Sequence, residues 1–290
     1  MKLMTLNTHS LEEPDYESKL LAFAEGVCRE QPDIIALQEV NQTQAAAPAD
    51  PVELKGCGYV PCAPVSCRAS RAPSAILRND NHAFCLARIL AGRGLPFHWT
   101  WTAAKTGYGR YDEGLAVLSR LPISDTHQAY ITGIHDYSNW KTRKILGAGI
   151  LGNHGMEYFY SVHMGWWDDT EEPFKDQWQR IRRELEPAAA AAAQIWLMGD
   201  FNSPAHIRGE GRDLILGSGW LDSYELASEK DEGITVSHAI DGWRDRGGLT
   251  GMRIDYIWTN CPVPVKSSHT IFNHRQYPAV SDHFGIIIEY

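Results

Sequence analysis

The chain lacks any apolar run of the roughly eighteen residues that a membrane-spanning helix requires, and its start, MKLMTLNTHS, has neither the charge nor the apolar length of a secretory leader. A cytoplasmic enzyme is the expectation, with no membrane surface and no protein partner evident. Cysteine is sparse: Cys28, Cys57, Cys62, Cys67, Cys85 and Cys261 are too few for a disulfide scaffold in 290 residues, and the five-residue steps from Cys57 to Cys67 do not match zinc spacing. Free, reduced thiols are expected. Positive charge is also short. The 36 Asp and Glu exceed the 27 Lys and Arg, leaving −9 at neutral pH, a balance that repels a polyphosphate backbone unless basic residues gather on one face. Arg68, Arg71, Arg78, Arg180, Arg182 and Arg183 are instead dispersed among acids. No domain-separating linker occurs, so residues 1–290 read as a single domain.

What is present is a succession of short apolar and β-branched runs: KLMTLN, DIIALQEVN, EGLAVLS, KILGAGIL, EYFYSVH, QIWLMGDFN, RIDYIWTN and HFGIIIEY. Between them, apolar residues three or four apart predict helices over Tyr16–Gln31, Asn81–Gly92 and Pro173–Glu186. The alanine run 188–193 reads as a helix end or connection, and residues 45–78, rich in Pro, Ala and Cys, as a long excursion beside the site. Alternating strands and helices argue for an α/β or α+β fold with two packed sheets and helices outside.

IWLMGDFNS, residues 195–203, poses the chemical question, because an apolar strand ends abruptly on Asp200 and Asn202. A carboxylate at the edge of a core is costly unless a cation or donors compensate it. Residues two apart in an extended strand share a face, so Asp200 and Asn202 can point together while Phe201 packs the other way. IIALQEVN, from Ile34, echoes the pattern with Glu39 and Asn41, although eight residues are too short to establish a duplication. Asn7, Glu39, His163, Asp200, Asn202, Asp255, Asp282 and His283 all stand at strand ends. Carboxylates and amide oxygens are hard ligands that suit Mg²⁺, with Mn²⁺ as a substitute, and two histidines beside acids suit proton transfer. The set points to phosphoester hydrolysis.

LNTH, IALQEVN, EGLAVLSRLPI, SVH, GDFN, RIDYIW and SDHFGI, in this order over nearly the whole chain, resemble the endonuclease/exonuclease/phosphatase superfamily. That resemblance implies a four-layer αββα sandwich, two mixed sheets packed face to face and flanked by helices, with a metal site at one rim. It implies Glu39 as the principal Mg²⁺ ligand with Asn7 and Asp282 near the ion, and Asn202 holding a phosphate oxygen. Asp200 would position or deprotonate the attacking water. Asp255 and His283 would be an orienting acid and its histidine, and His163, steadied by Glu113, would bond the scissile phosphate. Relatives differ on whether Asp or His is the base.

The substrate must be read from the variable segments. Net acidity, the tryptophans of FHWTWT and HMGWWDD, and the short cationic stretch DYSNWKTRK favour a small phosphorylated carbohydrate over nucleic acid. Trp166 and Trp167 follow the His163 segment and could stack on a sugar, or could pack a core or lid. Lys141, Arg143 and Lys144 could clamp phosphate, arginine best because its fork matches two oxygens, or could be an ordinary solvated run. NTHS, DNHAFCLARIL, HWTW, YDEGLAVLS, TRKILG and HMGWW together look like the bacterial maltose 6′-phosphate phosphatase branch. The alternatives are a metal-dependent nuclease, a lipid phosphodiesterase, and a binding module that kept the fold and lost catalysis.

Overall fold

The computed structural model describes residues 1–65, 75–152, 155–191, 193–238, 240, 243 and 251–290. Cys67, Arg68 and Arg71 therefore lie outside the described residues, as does part of the excursion over 45–78. The described strands are β1 (Lys2–Asn7), β2 (Ile34–Thr43), β3 (His98–Gly107), β4 (Tyr111–Ser119), β5 (Asp125–Tyr130), β6 (Lys144–Gly152), β7 (Gly155–His163), β8 (Gln194–Asp200), β9 (Leu221–Asp222), β10 (Ala227–Lys230), β11 (Asp255–Thr259), β12 (Val265–Ile271) and β13 (Gly285–Glu289). The helices are α1 (Tyr16–Glu30), α2 (Pro51–Gly56), α3 (His82–Gly92), α4 (Phe174–Ala190), α5 (Gly211–Gly217) and α6 (Ser223–Leu226).

Two mixed sheets result, in the orders β10-β12-β13-β1-β2-β4-β3 and β5-β6-β7-β8-β11-β9. Their inner faces meet in one apolar layer that includes Leu3, Ile34, Ala36, Val117, Phe159, Trp196 and Met198. On the outer face of the first sheet, Met4, Ile35, Leu37 and Trp99 pack against Phe23 and Val27 of α1 and Phe84 and Leu90 of α3. On the outer face of the second, Ile195, Leu197 and Trp258 pack against Trp178 and Ile181 of α4 and Ile215 of α5. Both faces of the central strands are covered, which is why their sequences are nearly continuous apolar runs.

The expected helices form with small differences at their ends. Asn81 caps α3, accepting a hydrogen bond from the Phe84 N–H at 3.2 Å. Helix α4 continues through Pro187 into the alanine run, although that proline has no N–H to give the Arg183 carbonyl four residues earlier. FHWTWT lies on β3 and the residue leading into it, with Trp99 and Trp101 buried and their indole N–H groups donated to the backbone carbonyls of Cys57 and Val40. It is a core strand, so these two tryptophans are unavailable to a ligand. The described cysteines carry free thiols. Among the described residues, no helix is long and apolar enough to cross a membrane.

Candidate active site

Strand direction brings the polar residues to one rim. β1 and β2 run parallel with Asn7 opposite Gln38, so the end of β1 lies beside Glu39, which sits within β2 rather than at the strand end expected from sequence. β7 and β8 are parallel with His163 opposite Asp200, and antiparallel β11 places its first residue, Asp255, beside Asp200. β13 runs antiparallel to β1, so the Ser281–His283 segment before it returns to Asn7, where Ser281 Oγ donates to the Asn7 carbonyl at 2.7 Å.

Local distortions then aim the side chains. A bulge between Leu37 and Val40 interrupts the pairing of β2, and Glu39 has φ 51°, a left-handed conformation rare outside glycine. β8 closes through Gly199, at φ 143°, where a Cβ would lie 2.1 Å from the Val162 carbonyl oxygen. Glycine is required there by backbone approach. Asn202, with φ 47°, is turned rather than extended, and its N–H donates to Asp200 Oδ1 at 2.8 Å. Asp200 and Asn202 thus meet through a turn closed by the aspartate itself, not through the strand alternation read from sequence. Phe201 between them is fully buried in the outer core, as expected.

The residues surround a cavity of about 300 Å³ lined by Glu39, Glu113, Arg143, His163, Trp166, Asp200, Asn202, Asp282 and His283. Asn7 and Asp255 stand behind this lining. The Asn7 Nδ2 donates to Glu39 Oε1 at 3.0 Å and to Asp200 Oδ2 at 3.2 Å, and Asp255 Oδ2 lies 3.0 Å from His283 Nδ1. The Nε2 atoms of His163 and His283 are 3.6 and 3.9 Å from Asp200 Oδ2, gaps that one water or one phosphate oxygen can bridge. Asn41, the echo of Asn202, is buried and does not line the cavity.

Lys144, a candidate phosphate clamp, is buried with its Nζ donating to the Ala103 carbonyl at 2.8 Å and does not line the cavity, and two further expected residues point elsewhere. Lys141 is tied to Asp169 and Glu171, each at 2.9 Å, and Trp167 packs on Phe174 at the outer core. Neither belongs to the lining. Several residues that sequence reasoning did not single out do, among them His9, Lys105, Tyr108 and Trp140. The LNTH motif carried a signal for His9. Lys105 had none, since a lysine in an alternating strand reads as an exposed edge; here it is buried, paired with Glu113 at 3.0 Å. Gly107 makes room for that glutamate, as a Cβ at this position would lie 2.7 Å from Glu113 Oε2. Trp243 donates its indole N–H to Asn202 Oδ1 at 3.0 Å, fixing the amide.

Arg143 differs from the other cations. It is 6% exposed, its Nε has no hydrogen-bond partner, and its guanidinium forms no ion pair with a described carboxylate. A buried charge without a partner costs several kcal/mol, roughly, and an anion in the cavity would offset that cost.

Burial and crowding set the protonation states. Burial, then Glu113 and Asp282, raises Glu39 above the usual carboxylate range. Burial and Asp255 push Asp200 up to about 7, against the opposing pull of His283 and the Asn202 N–H. Burial would lower His283, but the charge and hydrogen bond of Asp255, with Asp200 and Asp282, hold it well above the ordinary value. His163 is held well below by burial, Arg143 and Lys105, and is neutral. Lys105 is itself lowered by burial and by Arg143.

Glu39 and Asp282 both line the cavity and carry the oxygen donors a hard divalent ion prefers, though Glu39 belongs to neither three-group cluster of ligand-type atoms among the described residues. The Asn7 amide presents Nδ2 to Glu39, so its oxygen would face an ion only after the amide rotates. Asp200, Asp255 and His283 bring ligand-type atoms within 4.8 Å of one another, as do His9, Glu13 and Asp282.

The family model described as endonuclease/exonuclease/phosphatase matches residues 4–283, and the chain belongs to that family of phosphoester hydrolases, whose members generally depend on a divalent metal. An endonuclease/exonuclease/phosphatase family protein from Leptotrichia buccalis superposes with TM-score 0.80 at 29% identity, covering 100% of this chain and 98% of that one. A mannosyl-6-phosphatase from Bacteroides thetaiotaomicron gives 0.64 at 16% identity, with 100% and 98% covered. A Neisseria 3′ phosphatase bound to product DNA gives 0.60 at 19%, with 100% and 99% covered. The latter two likenesses establish the fold alone. The comparison with curated proteins returned no match.

Proposed function

We propose that the protein is a Mg²⁺-dependent phosphomonoesterase acting on a small sugar phosphate. The observation that carries this reading is Arg143, buried and without a carboxylate partner among the described residues, on a cavity that Lys105 also lines. A monoester carries close to two negative charges at neutral pH and a diester carries one, so a buried guanidinium beside the Lys105–Glu113 pair favours the more highly charged ester. A cavity of about 300 Å³ suits a small alcohol portion, and the acidic chain disfavours a polyanion. The relative that acts on a mannosyl phosphate shares the architecture, in keeping with this choice.

In the proposed mechanism Glu39 and Asp282, with Asn7 on rotation of its amide, would hold the metal, which when bound would offset charge on the phosphoryl oxygens. Arg143 and Lys105 bind the non-bridging oxygens. Asn202, pinned by Trp243, and neutral His163 orient the phosphate. Asp200 receives the proton of the attacking water; His283, kept protonated by Asp255, is unsuited to accept it and stabilises developing charge. Water attacks phosphorus in line and the alcohol leaves, with no covalent enzyme intermediate.

The test is phosphate release with Mg²⁺ from hexose and disaccharide phosphates, compared with a phosphodiester chromogen and with single- and double-stranded DNA. Faster turnover of the sugar phosphates is expected. DNA or diester cleavage outpacing every monoester would make the enzyme a nuclease or diesterase.

A further inference from the structure

Tyr108, at 49% exposure, and Trp140, at 51%, are the only exposed residues among the described ones that line the cavity. Both are aromatic, and both are held in place. Tyr108 occupies the turn Gly107–Arg110 between β3 and β4, closed by the Arg110 N–H donating to the Gly107 carbonyl at 3.1 Å. Its two central residues, Tyr108 and Gly109, have φ 48° and 67°, the pattern of a type I′ hairpin turn. That turn prefers asparagine or glycine at its first central position, so a tyrosine there is retained against about 1 kcal/mol of backbone strain. Its hydroxyl meets His9 Nε2 at 3.1 Å. The Trp140 carbonyl accepts from Lys105 Nζ at 2.9 Å, and its ring lies 5.5 Å from that of Trp166, tilted 57°. Lys141 Nζ sits 5.3 Å from the Trp140 ring centroid and is itself anchored by Asp169 and Glu171. Exposed rings at a cavity mouth, one of them strained and the other braced, are a prepared contact surface.

We propose that Tyr108 and Trp140 form an aromatic rim that selects phosphate esters whose alcohol is a pyranose ring, a proposal that rests on the monoesterase reading above. At 5.5 Å and 57° the Trp140 and Trp166 rings pack against each other, so the half-exposed Trp140 offers one open face rather than two parallel ones, a single platform for the face of a ring. A pyranose can lay its C–H face on a half-exposed ring while its hydroxyls stay in water.

The test is calorimetric binding in an Asp200→Asn background, which slows turnover, with glucose 6-phosphate, glycerol 3-phosphate and adenosine 5′-monophosphate at saturating Mg²⁺. Glucose 6-phosphate is expected to bind about tenfold more tightly than glycerol 3-phosphate. Trp140→Ala and Tyr108→Asn should each remove most of that gain. Tyr108→Asn relaxes the turn and should raise Tm, so its loss of selectivity cannot be a folding defect. Equal affinity for the two esters, or a preference that survives both substitutions, would overturn the rim. The same ring-dependent gain with adenosine monophosphate would reassign it to a nucleobase and overturn the sugar choice. The monoesterase reading fails separately, if the unsubstituted enzyme with Mg²⁺ releases phosphate from neither glucose nor glycerol phosphate.

Discussion

Arg143 is the residue on which the substrate assignment turns, and its replacement separates charge from shape. Arg143→Ala should lower kcat/KM for a sugar phosphate by about 10²-fold, and Arg143→Lys should recover part of the loss, because an ammonium keeps the charge without the two-oxygen fork. Steady-state kinetics of the two variants check this; equal activity in Arg143→Ala and the parent enzyme would remove the guanidinium from the site. Asp200→Asn should remain folded, since its amide oxygen can keep the bond from the Asn202 N–H while the Asn7 amide, which donates to the other carboxylate oxygen, can turn its own oxygen to the new NH2, yet hydrolyse at least ~10²-fold more slowly. Near-normal turnover would exclude Asp200 as the base. Asp200 could be found in the sequence because an acid ending an apolar strand is an anomaly that demands compensation. Lys105 could not, because its partner Glu113 is on the neighbouring strand and only pairing of β3 with β4 reveals that the two meet.

At the scale of elements, the join between α1 and α3 carries a testable pH dependence. His82, the first residue of α3, is buried, stacks on Phe23 and bonds the Tyr16 hydroxyl at 3.0 Å. Burial depresses it from 6.5 to about 3. The folded protein therefore keeps His82 neutral while the unfolded chain protonates it below its ordinary value. Stability from this group is full above about pH 6.5 and falls by about 1.4 kcal/mol per pH unit as the pH drops from there toward 3. Urea titrations at pH 7 and pH 5 should show a smaller acid loss in His82→Phe than in the parent; identical losses would mean that His82 charges in the folded state. Element positions were largely legible, since continuous apolar runs and three-to-four periodicity mark covered strands and amphipathic helices. Their purposes were less so. FHWTWT has the aromatic content of a sugar platform, yet as part of β3 it is wedged between sheet and helix, a distinction that depends on tertiary burial. The bulge at Glu39 and the left-handed turn at Asn202 also left no mark, because non-glycine residues there are held by their surroundings rather than by their own preference.

Across the whole molecule, an acidic chain encloses a cavity that combines several carboxylates with a guanidinium unpaired among the described residues, the basis for proposing a divalent cation and an anion together. The sandwich produces this by directing the ends of β1, β7 and β8, the bulge within β2, and the starts of β11 and β13 to a single rim, so that residues nearly 280 positions apart share a site (Asn7 with His283, for example). The measurement that reaches this account most directly is anomalous scattering from crystals grown with Mn²⁺ and phosphate. A Mn²⁺ peak on Glu39 and Asp282, with phosphate on Arg143 and Asn202 in the same cavity, is the expected result. Phosphate bound away from Arg143, or a cation that leaves Glu39 without contact, would contradict it.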